Sequence, residues 1–221
     1  MAKEEVTILK KVKNGVLYSD GTIRIERVRL SYPHVGHAHA MKDPKTQEMG
    51  KPLFSVTALL NKTEHKEACG LITENNKRLM AENKCEKVKA DAKFIRDGDG
   101  ELVDSEVAIG HWTVSCRETR RPIVMDRKGE LITADQAEEM FYGGCWGHVI
   151  IRPWYQDSAE YGKRLNCGFA SVRFWKDDEQ FGEGRITADD VKNRFADIDD
   201  DEDGGDAGGF AKTAEDDADD L

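Results

Sequence analysis

The chain has 221 residues, the length of one domain with appendages, and its 38% AVILMFWYC content supplies a core while 34% DEKR keeps it polar. Its 33 basic and 43 acidic side chains leave a formal charge of −10, which taken alone argues against nucleic acid as a partner. That charge describes an appendage: residues 196–221 hold 12 acidic groups against the single base Lys212, while the rest of the chain carries 32 basic and 31 acidic groups.

Residues 1–20 read as an N-terminal arm. The first strand signal is Thr22–Leu30, TIRIERVRL, ending at Ser31-Tyr32-Pro33 because proline cannot donate to a ladder. Residues 33–52 read as a His, Lys and Pro-rich loop, and LFSVTALL at 53–60 reads as a second strand. Over 63–82 the period changes: Ala68, Leu71, Ile72, Asn75 and Leu79 form one stripe while Lys66, Glu67, Glu74 and Lys77 face water, which predicts a helix weakened by Gly70. A polar loop follows, with a turn at Asp97-Gly98-Asp99-Gly100 and strand-like segments at 107–116 and 122–126. Thr133 and Gln136 stand at capping-box spacing before a short helix stopped by Gly143-Gly144. The runs 145–154 and 165–175 form a predicted antiparallel pair, and Thr187 and Asp190 mark a last short helix. The expected fold is mainly β with inserted helices, a five-stranded open barrel of the oligonucleotide-binding (OB) type with enlarged loops over 21–195, followed by a disordered acidic tail at 196–221.

The search for chemistry is mostly exclusionary. No run of about 18 apolar residues exists, and MAKEEVTILKK lacks the hydrophobic stretch of a secretory leader. Five scattered cysteines without a CxxC pair fit a reduced, cytoplasmic setting. Phosphate-loop and nucleophile motifs are absent. His34, His37 and His39 have no thiolate nearby in sequence, and Cys145 and His148 sit on opposite faces of a strand, so no metal is expected. In the tail, Asp199, Asp201, Asp203 and Gly204 imitate a calcium loop, but Phe210 stands where a bidentate Glu is needed. Asp97, Asp99, Asp104 and Glu106 are turn-forming carboxylates rather than a two-metal set, and neither catalysis nor a cofactor is expected.

What remains is cations interleaved with rings. Arg24, Arg27 and Arg29 precede Tyr32; Trp112 precedes Arg117, Arg120 and Arg121; Tyr142 and Trp146 precede Arg152, Trp154 and Tyr155; and Tyr161, Lys163 and Arg164 follow. Single-stranded nucleic acid needs cations for phosphates and flat rings for unstacked bases. Trp112, Trp146 and Phe169 lie within apolar strands and are assigned to the core, leaving Trp154 and Tyr155 as the candidate stacking platforms. An RNA-binding domain and a protein-only adaptor acting through the acidic tail stand as alternatives.

The span 141–184 carries Phe141-Tyr142-Gly143-Gly144-Cys145, Leu165-Asn166, Val172, Asp178, Phe181 and Gly182, and with SYPHV and KPLFSVTALL it resembles a family of bacteriophage single-stranded DNA-binding proteins. Where that family commonly shows a glutamine, this chain has Arg173. The resemblance implies an OB-type domain that coats single-stranded DNA in phage replication or recombination within the infected bacterial cell. It further implies an acidic tail that recruits replication or recombination proteins and competes with DNA, and self-association along the strand.

Overall fold

The computed structural model describes residues 5–42, 47–182 and 188–196. The chain divides into two units, Met1–Glu183 and Gly184–Leu221. In the second, α3 (Ala188–Arg194) is described, with the side chains of 191–196 exposed. Residues 197–221, and with them the expected disordered tail and its rejected calcium loop, lie outside the described residues.

The first unit is built on strands β1 (Ile8–Val12), β2 (Gly15–Tyr18), β3 (Ile23–His39), β4 (Leu53–Asn61), β5 (Ile95–Asp97), β6 (His111–Glu118), β7 (Ile123–Met125), β8 (Trp146–Ser158) and β9 (Gly162–Lys176). Two helices, α1 (Lys66–Glu82) and α2 (Ala134–Met140), interrupt the series. All nine strands join one sheet in the order β5–β6–β4–β3–β8–β9–β7, with β2 on β3 and β1 on β2. Mainly β with helices is therefore right, but the five-stranded OB barrel is overturned: the sheet has nine strands and does not close. Its ends curl toward each other, so that the Phe94 N–H donates to the Leu165 carbonyl at 3.0 Å and Lys93 bridges Leu165, yet that contact remains an isolated bridge and not a ladder.

Strands β1, β2 and β5 are the ones the expected set lacks, and β3 is longer than expected. Within the stretch read as an arm, residues 8–18 fold as the β1–β2 hairpin, whose Val16 and Leu17 enter the core against β3. Strand β3 also runs through Pro33 rather than stopping there. The β3–β4 register shifts between Ser31 and His34, and Tyr32 takes φ 47°, so Pro33 falls in a bulge where a donor is not required.

One face of the sheet is apolar. Ile23, Ile25, Val28 and Leu30 of β3 meet Val149 and Ile151 of β8 and Phe169 and Val172 of β9, all at most 1% exposed. Each such side chain, fully buried, stabilises by roughly 1.5–3 kcal/mol. Helix α1 adds Ala68, Leu71 and Ile72 from the predicted stripe, and the Asn61 side chain accepts the Thr63 and Glu64 N–H groups just before it. The Thr133–Gln136 capping box is formed at α2, which ends at Met140. Past it, Gly144 takes φ +111°, and a Cβ there would lie 2.2 Å from the Glu179 carbonyl oxygen, so only glycine lets the segment after β9 cross so closely.

Two glycine substitutions should therefore act in opposite directions. Gly70→Ala in α1, where no atom lies within 4 Å of the added carbon, is expected to raise stability by about 0.5–1 kcal/mol. Gly144→Ala should lower it by about 1–3 kcal/mol. Urea midpoints of the two variants against the parent chain check both signs.

Candidate nucleic-acid interface

Alternation along β8 and β9 decides which side chains face outward. Val149, Ile151 and Pro153 point to the core, so His148, Ile150, Arg152, Trp154 and Gln156 occupy the other face. Where the curled sheet brings β6 toward β9, outward residues of both strands border a groove of ≈ 690 Å³. Its cations are Lys93, Arg96, Arg117 and Arg164, and its open rings are Trp154, 45% exposed, and Tyr161, 60% exposed. Arg96 is steadied by the Lys93 and Asp91 carbonyls at 3.3 and 3.0 Å. Among the described residues none of the three guanidinium groups forms an ion pair, so their charge is available to an anion.

The groove gathers Arg117, Trp154 and Arg164 from the residues picked out in the sequence. Tyr155 does not join them: next to Trp154 in a strand it must face the other way, and it packs against the core. Lys163 is exposed at the start of β9, and Arg120 and Arg121 lie exposed between β6 and β7, Arg121 donating to the Ile132 carbonyl at 3.2 Å. Tyr32 is 74% exposed at the β3 bulge. Arg24 is held by Glu26 at 2.7 Å and by the Tyr18 hydroxyl at 3.1 Å. Arg152 is exposed on β8 between the two ends of the outer face.

Arg29 and Tyr142 are committed internally. Arg29 donates to the Gly144 and Glu179 carbonyls at 3.0 and 2.6 Å and lies 4.4 Å over the Phe181 ring. The Tyr142 hydroxyl accepts the Asp178 N–H at 3.1 Å and lies 2.9 Å from the Asp178 carbonyl. The Trp146 indole N–H donates to the Asp178 carboxylate, which holds that carboxyl below its usual range. Together these contacts strap residues 177–181 to the sheet.

Sequence reasoning misses Lys93, Phe94 and Arg96, which read as part of a polar loop because KFIR has only two adjacent apolar residues and no alternation. Tyr161 belongs to the interleaved set in the sequence but is not among its candidate stacking platforms. The histidine motif has other work: His34 stacks on His39 at 4.5 Å, and His37 bonds Asp135 at 3.0 Å. Asp97 and Asp99 both hold Lys62, whose ammonium keeps both carboxyls below their usual carboxylate range. No cluster of three metal-ligating side chains occurs among the described residues.

A curved sheet whose outer face joins unpaired arginines to open aromatic rings defines a nucleic-acid-binding class of β domain. A family profile described as "Enterobacter phage Enc34, ssDNA-binding protein" matches residues 21–204, and the chain belongs to that family. Solved structures agree. The single-stranded DNA-binding protein from bacteriophage Enc34 is 39% identical, with 85% of this chain and 99% of that one covered at a TM-score of 0.72. Its C-terminal truncation is 38% identical over 82% of this chain and 100% of that one, again at 0.72. The same phage protein solved in complex with ssDNA is 38% identical over 81% and 100%, at 0.72. No curated protein matches.

Two histidines make stability depend on pH. Burial lowers His34, with His39 adding to the effect against Glu138; burial also lowers His148, with Arg173, Arg27 and Arg24 adding to it against Glu26. The unfolded chain binds these protons near the ordinary value of 6.5 while the folded chain resists them. The associated stability is present above that value and is lost as pH falls through it toward the folded values. Urea midpoints should fall between pH 7.5 and pH 5.5, and a His34→Gln/His148→Gln variant should show a smaller fall; an equal fall in both proteins contradicts the assignment.

Proposed function

We propose that this chain binds and coats single-stranded DNA through the groove between β6 and the β8–β9 ribbon, without strong sequence preference. The observation that carries the reading is the convergence of Trp154 and Tyr161 with Lys93, Arg96, Arg117 and Arg164 in one open groove. Every base has a face that can stack on such rings, and phosphates on either side meet unpaired cations. A duplex keeps its bases stacked on each other and gains only the cationic part. Family membership and the relative solved with ssDNA support the same polymer.

The acidic segment belongs to this reading as a modulator. Twelve carboxylates tethered to a near-neutral body act as an intramolecular competitor for the groove and offer a docking segment to replication or recombination proteins with basic surfaces.

Trp154→Ala should weaken single-strand binding by about 1–3 kcal/mol while leaving its salt dependence nearly unchanged. An Arg117→Ala/Arg164→Ala variant should flatten the log–log salt slope by about 0.7 per lost phosphate contact. Fluorescence titrations against matched single-stranded DNA, duplex DNA and RNA separate these effects; equal affinity for duplex and single strand at moderate salt overturns the reading, and stronger RNA binding reassigns the polymer.

Removing residues 196–221 should raise single-strand affinity at low salt. The gain should shrink at 0.15 M salt, where the Debye length is about 8 Å. Identical isotherms for full-length and shortened chains at low salt refute tail competition.

A further inference from the structure

Away from the groove, two bulges meet on the outer face. Between Ile25 and Val28, strand β3 has one residue more than β8, and Arg27 in that bulge adopts φ 58°, the left-handed region that costs a non-glycine residue energy. Between Trp146 and Gly147 the excess lies in β9, where Trp175 is the additional residue. The two irregularities bring the Arg27 guanidinium 5.4 Å over the Trp175 ring. Lys176 stands 5.1 Å from the same ring and 4.9 Å from Trp146, which meets Trp175 edge to face at 5.8 Å.

This patch is charged and open. Arg27, Arg173 and Lys176 are exposed, and nearby acids already have partners: Glu26 pairs with Arg24, and Asp178 takes the Trp146 indole N–H. Arg173 stands opposite His148 in the ladder. His148 and Trp154 are both outward on β8, six residues apart, or about 20 Å along a strand. Exposed Arg152 and half-buried Ile150 lie between them, so the outer row connects the groove to the patch.

We propose that the patch centred on Arg27, Trp175 and Lys176 is a second contact site for the single strand held in the groove, engaging its phosphates beyond the groove's own reach. The inference rests on single-strand binding by the groove. It explains why a strained arginine and a bulged tryptophan occupy one place: a flat, fully paired sheet would leave the cation and the ring apart.

The test compares oligothymidylates of about 6 and about 16 nucleotides, within the range that single-strand-binding domains cover. Arg27→Gly suits the left-handed backbone, so its melting temperature should equal or exceed that of the parent while one cation is lost. Combined with Lys176→Gln, it should leave affinity for the 6-mer within twofold, lower affinity for the 16-mer about tenfold, and reduce the 16-mer salt slope by about 1.4. Trp175→Leu should lower 16-mer affinity with little change in slope. Lys176→Gln alone, at an exposed position, repeats the measurement if the combined variant melts early. Equal losses on both lengths, or no loss on the 16-mer, overturn the second site. Failure of the parent chain to bind the 6-mer, or indifference of 6-mer binding to Trp154→Ala, instead overturns the groove reading on which it rests.

Discussion

Strands β8 and β9 pair antiparallel from Trp146↔Lys176 to Ser158↔Gly162, and their alternation sets both the interior and the working surface. Val149 opposite Val172 and Ile151 opposite Phe169 commit one face to the core. The opposite face then has to carry His148, Arg152 and Trp154, because a strand offers no third direction. A slip of one residue would bury Arg152 and expose Ile151, at a cost in buried charge and lost apolar burial that fixes the register firmly. The hydrophobic demand of the core is thus what aims the cations and rings outward.

Long strands accumulate twist, and this sheet relieves it with bulges instead of breaks. Strand β3 pairs with β2 and β8 over its first part and with β4 over its second, and its register shifts against β8 between Ile25 and Val28 and against β4 between Ser31 and His34 and between His34 and His39. These irregularities are also where the unusual outward side chains occur: Tyr32 and Arg27, both with positive φ, and Trp175. Extra residues at a bulge leave the strict inward–outward alternation, which makes room for exposed rings and cations without opening the core.

Much of this was legible in the sequence where a single periodicity ruled. The β4 strand, the α1 stripe, the Thr133–Gln136 cap and the β8–β9 pair follow from spacing alone. Pro33 misled because proline stops a regular ladder but not a bulged one, and bulges leave no periodic trace. The β1–β2 hairpin escaped because Ile8 and Leu9 are both exposed, so β1 has no alternation to read. Treating Trp154 and Tyr155 as one platform ignored the pleat, which sends neighbours to opposite faces. Arg29 and Tyr142 looked like binding residues because sequence cannot show that carbonyls of Gly144 and Glu179 and the backbone of Asp178 already occupy them. The groove needed β5 and β6 brought against β9, a contact between segments about seventy residues apart that no local signal encodes.

The two aromatic surfaces differ in what covers their rings, and the difference assigns them different parts of a strand. No cation lies over Trp154 among the described residues, so its face is open to a base, and the groove arginines sit at its sides. Trp175 is already capped by Arg27 and Lys176, whose charges are partly satisfied by the ring yet remain exposed to solvent. A cation held over a ring loses less freedom on meeting a phosphate than one on a free side chain, because part of its ordering is already complete. On the proposed reading the groove is organised around bases and the bulged patch around the backbone, and a strand lying across both would be gripped by stacking at one end and by pre-placed charge at the other.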